Sequence, residues 1–252
     1  MTGHESPGEP QSDPHWGAED RDQKARNIVQ CLELLTNLDL STLSCVDIGC
    51  GSGGISYHLA PAFDSVCGVD PEPWERWSEL IAARANLRFI EESIGTLSIG
   101  DEAVDVVICN QVYEHVPSPQ QLIAQIHRIL KPGGVCYFAG PNLLYPIEPH
   151  VFWPFIHWIP RSWALAILRM FSPEKEKMLD AYSTTYWTLR RWLSDFMIVD
   201  AVPILIKHRA ANADPGNMWR SFRYIPLSFL RILGFLSPGF VLVLEKPDSR
   251  RH

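Results

Sequence analysis

Residues 45–54 read CVDIGCGSGG. A short apolar strand over 45–48 runs straight into a cluster of glycines. This pattern allows little except a strand, a tight loop and a helix, because glycine lets the backbone turn sharply and approach a ligand closely. Two spacings coexist in the cluster. Gly49, Gly51 and Gly54 fit G-x-G-x-x-G, and Gly49, Gly51 and Gly53 fit G-x-G-x-G. Both suit a loop that closes on a small adenosine-bearing ligand, whose identity the glycines alone leave undecided.

The rest of the chain continues the alternation. Helical spacing over 22–35 puts Ile28, Leu32 and Leu35 on one face. Further strands are predicted over 65–69, 87–90, 104–109 and 135–139, and helices over 55–60, 74–83 (Trp74, Trp77 and Ile81 on one side) and 120–130. Lys131-Pro132-Gly133-Gly134 ends the last of these helices, since proline and paired glycines cannot continue one. Strands and helices alternating over short connections give an α/β fold with a mostly parallel sheet. Its strands are continuously apolar, as helices on both faces require. After Pro141 the texture changes to aromatics and prolines. Helices are predicted over 163–171 and 186–196, and two last strands over 198–206 and 240–244.

Composition narrows the class. A chain of 252 residues fits one elaborated domain, and its net charge of −7 argues against a nucleic-acid partner. The six cysteines form no C-x-x-C pair and no zinc-finger spacing, and no clustered metal-ligand set is visible, so they read as buried reduced thiols. Residues 1–21 are polar and rich in Pro and Gly, which predicts a disordered N-terminal tail without targeting character. These features predict a cytoplasmic protein. The stretch 225–244 has the length of a membrane span, but Gly234, Pro238 and Gly239 divide it, so a surface helix followed by a buried strand is the better account.

The charges around the loop separate the candidate ligands. Asp70, at the end of the second strand, stands where an acid accepts hydrogen bonds from a ribose, whichever adenosine ligand is bound. Asp47, beside the loop, would repel a pyrophosphate and attract a cationic ligand. VDIGCGSGG, GVDP at 68–71, DVVICNQVYEHV at 105–116 and LKPGG at 130–134 together resemble the class I S-adenosylmethionine-dependent methyltransferases. The resemblance covers residues 24–142, with four motifs in order. It implies a seven-stranded, Rossmann-like sheet whose last strand is antiparallel, with S-adenosylmethionine as cofactor and S-adenosylhomocysteine as product. It places Asp47, Gly49, Cys50, Gly51 and Gly53 at the methionine end, Asp70 and Pro71 at the ribose, and Asn110 and Gln111 facing the sulfonium and the substrate. Ser93 stands where many relatives carry an acid toward the adenine amine, with the Ile94 backbone next to it.

An oxygen acceptor needs a base for its proton, a task suited to histidine near neutral pH. His115, after the fourth strand, and His150, in the aromatic segment, are the candidates, with Tyr113, Tyr145 and Glu148 as substrate contacts. His157 reads as a packed residue, and His58 and His127 as structural or solvated. Segments 142–196 and 207–238 read as a substrate cap over a core of 22–142, completed by the last two strands. Within the cap, 219–236 combines arginines with large apolar side chains, a pattern suited to extra core packing or to peripheral contact with a membrane. The reading is a methyltransferase acting on a small-molecule or lipid-linked acceptor, with oxygen favoured. The rivals are a nicotinamide-dependent oxidoreductase and a non-catalytic scaffold of the same fold.

Overall fold

The computed structural model describes residues 18–147, 152–173 and 183–248. Its centre is a seven-stranded sheet in the order β3-β2-β1-β4-β5-β7-β6. The strands are β1 (Ser44–Ile48), β2 (Ser65–Asp70), β3 (Leu87–Glu91), β4 (Val104–Asn110), β5 (Leu130–Pro141), β6 (Met197–Asp200) and β7 (Gly239–Glu245). β7 runs antiparallel to both of its neighbours, and the β1–β5 pairs are parallel. This is the sheet that the resemblance implies.

The helices are α1 (Ala18–Leu35), α2 (Gly54–Leu59), α3 (Arg76–Ala83), α4 (Pro119–Ile129), α5 (Arg161–Phe171), α6 (Tyr186–Trp192), α7 (Ala201–Ala211) and α8 (Leu227–Leu233). They cover both faces. On one face Leu122, Ile126 and Ile129 of α4 and Leu189 of α6 pack on Val107, Cys109 and Phe138. On the other, Ile28 and Leu32 of α1 and Leu59 of α2 pack on Val106, Ile108 and Tyr137. Both clusters hold side chains removed from water, the main favourable contribution to folding. All six cysteines are buried and free, and burial pushes the Cys31 thiol up to about 12.

Several boundaries differ from the sequence expectation. α1 begins at Ala18, so only residues 1–17 of the expected tail lie outside the described residues. On α3 the buried residues are Trp77 and Leu80, while Ile81 is exposed. The helix expected over 186–196 ends at Trp192. The strand expected over 198–206 stops at Asp200, and α7 follows. The Asp200 side chain accepts a hydrogen bond from the Val202 N–H at 3.3 Å, a helix N-cap that turns the chain out of the sheet. The divided stretch 225–244 forms α8, a short 3-10 turn and β7. No described helix is long and apolar enough to cross a membrane.

Candidate functional site

Strand order brings the expected site residues together. β1 and β4 are neighbours although two strands and their connections separate them in sequence, so a crevice opens at their carboxyl ends, where open α/β sheets bind ligands. The glycine loop leaves β1 there. The Gly49 and Cys50 N–H groups donate to Val69 O at 2.8 and 3.2 Å, which pins the loop to β2. Gly49, Gly51 and Gly53 have φ of +69°, +51° and +80°, a conformation that favours glycine, and Gly53 caps α2. Gly54 lies in the first turn of α2. The backbone thus selects the spacing 49, 51, 53. A Cβ on Gly53 would also come within 2.4 Å of the Phe89 ring.

Two carboxylates flank this loop. Asp47 is buried, 3% exposed, and its Oδ2 accepts a hydrogen bond from the Ser56 hydroxyl at 2.6 Å. Burial pushes its carboxyl up to about 7. The Ser56 hydrogen bond opposes that rise and the charge of Asp70 adds to it. Asp70 is half-buried. Its Oδ2 accepts from the Gly51 N–H at 2.8 Å and its Oδ1 from the Glu72 N–H at 3.1 Å. Pro71, next to it, is exposed. The Glu92 N–H donates to Asp70 O at 3.0 Å, so the turn carrying Ser93 and Ile94 sits beside Asp70. The Ser93 hydroxyl pairs with that of Thr96 at 3.2 Å. Cys50 turns its side chain beneath the loop, against Gly68.

At the end of β4, Asn110 is half-buried and Gln111 is exposed. Gln111 takes φ +59°, strained for a residue with a side chain, and its N–H holds to Ala139 O at 2.8 Å. His115 is exposed on the loop that follows, its N–H on Val112 O at 3.0 Å. Tyr113 corrects the sequence expectation. It is 1% exposed, its hydroxyl donates to Pro141 O, and the same oxygen accepts from the Thr184 N–H at 3.3 Å. It is an internal brace between β5 and the cap rather than an acceptor wall. Tyr145 is half-buried in the turn after β5. His150 and Glu148 lie outside the described residues. His157 is a packing residue, its Nε2 within 3.0 Å of Leu143 O. His58 and His127 are half-buried, in α2 and α4. Among the described residues no group of three or more metal-ligating side chains occurs.

The sequence did not single out the residues that shape the loop from below. Trp77 Nε1 donates to Gly51 O at 2.9 Å, and its ring stacks on Phe89 with centroids 4.9 Å apart. The signal was Gly68 inside strand SVCGV, where a Cβ would meet Phe89 at 2.5 Å. Asn142 was missed as well. Its buried amide donates to Phe235 O at 2.7 Å and Ser237 O at 2.9 Å.

Residues 46–138, which hold this loop and both carboxylates, match the family model described as "Methyltransferase domain". This part of the chain is a methyltransferase domain of the class I S-adenosylmethionine-dependent kind. An uncharacterized methyltransferase of Mycobacterium leprae is 34% identical over 107 residues, covering 42% of this chain and 39% of that protein. A ubiquinone biosynthesis O-methyltransferase of Rickettsia typhi is 32% identical over 118 residues, 46% of this chain and 47% of its own. The chain thus spans from about two fifths to just over half (39–56%) of the length of the curated relatives it matches. A geranyl diphosphate C-methyltransferase from Streptomyces coelicolor shares the fold with a TM-score of 0.54 at 16% identity, over 96% of this chain and 86% of that one. The family match ends in β5, before the aromatic segment that follows Pro141.

Proposed function

We propose that the chain methylates an oxygen of a small-molecule or lipid-linked acceptor, with S-adenosylmethionine as donor. One observation carries the cofactor reading: Asp47 and Asp70 flank a single glycine loop, and the charge of one raises the pKa of the other. A dinucleotide pyrophosphate would add further negative charge to that pair. A ligand with an ammonium and a sulfonium relieves it, so the donor set fits this cofactor. The bound cofactor supplies the activated methyl group on sulfur.

The chain's residues supply alignment and proton handling. Asp47, ionised, holds the cationic methionine end. Asp70 accepts from the ribose hydroxyls while its two backbone bonds keep it in place. Asn110 and Gln111 line the crevice at the end of β4, where the strained Gln111 backbone aims that side chain outward. His115, on the next loop, takes the acceptor's proton, and His150 is the second candidate for that role. Oxygen chemistry is supported by relatives named O-methyltransferases, which match over 46% and 41% of this chain. The aromatic cap beyond Pro141 suits an acceptor with an apolar body.

Calorimetric titration with S-adenosylhomocysteine, with NAD in parallel, tests the cofactor. Binding of the first alone supports the reading, and binding of NAD alone overturns it. A screen of hydroxylated amphipathic acceptors then tests the chemistry. His115→Gln is expected to lower kcat and to remove the alkaline rise from the pH profile while leaving S-adenosylhomocysteine affinity intact. An unchanged profile would reassign the base to His150.

A further inference from the structure

The cap's outer surface is apolar and basic at once. The stretches 152–173 and 215–239 contain five arginines and no acidic residue, on a chain whose net charge is −7. Helix α5 buries Ala164 and Leu168 against Ile156 in a small core of its own. Its other side is also apolar: Trp163, Met170 and Phe171 are 68, 72 and 66% exposed. Tyr224 and Ile232, in and beside α8, are 74 and 63% exposed. Single exposed apolar residues are ordinary on a protein surface, but a concentration of large ones marks a contact surface.

Both pieces hang from the same point. The Asn142 amide grips the Phe235 and Ser237 carbonyls that follow α8. The carbonyl of the next residue, Leu143, accepts from Trp158 Nε1 at 2.6 Å, anchoring the turn that leads into α5. Asn142 and Leu143 leave β5 at its carboxyl end, the edge that carries the glycine loop. The apolar and basic surface therefore belongs to the edge of the sheet where the ligand crevice opens.

Element length excludes a spanning role for this surface. The 11 residues of α5 reach about 16 Å, against about 30 Å of bilayer hydrocarbon. Tryptophan and tyrosine favour the headgroup level, and the exposed Arg223 complements an anionic leaflet. We propose that the outer face of the cap, centred on Trp163 and Phe171 of α5 and on Arg223 and Ile232 around α8, docks peripherally on an anionic lipid bilayer, with the crevice edge toward the membrane. The docking stands apart from the methyl-transfer reading, because it rests on the cap and not on the loop.

The test is co-flotation of the full chain with large vesicles, either of phosphatidylcholine alone or with about one third phosphatidylglycerol. The chain is expected to float with the anionic vesicles at low salt and to be released by salt. Arg223→Glu should weaken partition by about tenfold or more, since each basic charge at an anionic surface contributes about fivefold. Trp163→Gln combined with Phe171→Gln should abolish it. Both variants alter exposed side chains, so unchanged melting and unchanged S-adenosylhomocysteine affinity would show that the fold and the cofactor site are intact. Failure of the parent chain to float with anionic vesicles would overturn the proposal. So would flotation that the Trp163 and Phe171 changes leave untouched. Concentration-dependent self-association that those changes remove, without vesicle binding, would assign the surface to a second copy of the chain instead.

Discussion

Asp47 and Asp70 share one loop but carry different loads. Asp70 ties the loop to β2 through the Gly51 N–H, and in the proposed reading its remaining lone pairs accept from the ribose. Asp70→Ala is expected to weaken S-adenosylhomocysteine binding by about 1–3 kcal/mol, roughly 5- to 150-fold, and calorimetry measures it directly. Asp47 predicts a pH dependence instead. Its carboxyl stands at about 7 in the folded protein, raised by burial from an ordinary value of 3.8. Between those values the folded state binds more protons than the unfolded state. Asp47 therefore makes the ligand-free protein less stable as pH rises through that window. A cationic ligand selects the ionised form, so binding below pH 7 releases a proton. Affinity should climb by up to about tenfold per pH unit toward 7 and then level off. Titrations in buffers of different ionisation enthalpy count the proton, and Asp47→Asn should flatten the profile. A profile flat in the parent chain would mean that Asp47 is not the cation's partner. The sequence displayed both acids plainly because each ends or flanks an apolar run. It could not display Ser56 on Asp47 or Trp77 under Gly51, since those contacts depend on how helices settle over the loop.

At the level of elements, legibility followed the local signal. Strands β1 to β5 were readable because helices cover both faces and the runs are continuously apolar. Helix α4 was readable because Leu122, Ile126 and Ile129 repeat at helical spacing ahead of Lys131-Pro132-Gly133-Gly134, while its Ser118 cap and Pro119 start moved its first residue to 119. The segment 198–206, IVDAVPILI, was misread because a run rich in β-branched residues looks like a strand. The cap formed by Asp200 and the proline at 203 were the contrary evidence, and they mark a helix start. Asn142 was illegible because its partners, Phe235 and Ser237, lie far along the chain. Its amide donates to two carbonyls inside the protein, so Asn142→Asp would set a carboxylate oxygen against them. That change should cost about 2–3 kcal/mol, read as a lower denaturation midpoint. Asn142→Gln, which keeps the donors but misplaces them, should cost less than the aspartate. Equal and small effects would show that the clasp contributes little.

For the whole molecule, the two faces of the sheet and the cap differ in how they are held. The sheet is packed on both sides by extensive clusters that include α1, α2, α4 and α6. The segment that carries α5 has its own cluster, with Ile156, Ala164 and Leu168 as its buried members. Few buried apolar contacts mean a low free energy of local opening. The family match covers the sheet from β1 into β5 and stops short of this segment. Native-state hydrogen exchange should therefore find the amides of Ala164–Phe171 exchanging through local opening, well before those of Val106–Cys109 and Cys136–Ala139. S-adenosylhomocysteine should slow exchange in the loop at 49–53 and the end of β2 more than in α5. Anionic vesicles should do the reverse, since they would cover the outer face of α5 and leave the loop alone. Exchange of α5 at the rate of the central strands would show that the cap unfolds only with the sheet. In that case its exposed aromatics would sit on a rigid part of the core rather than on a separately opening unit.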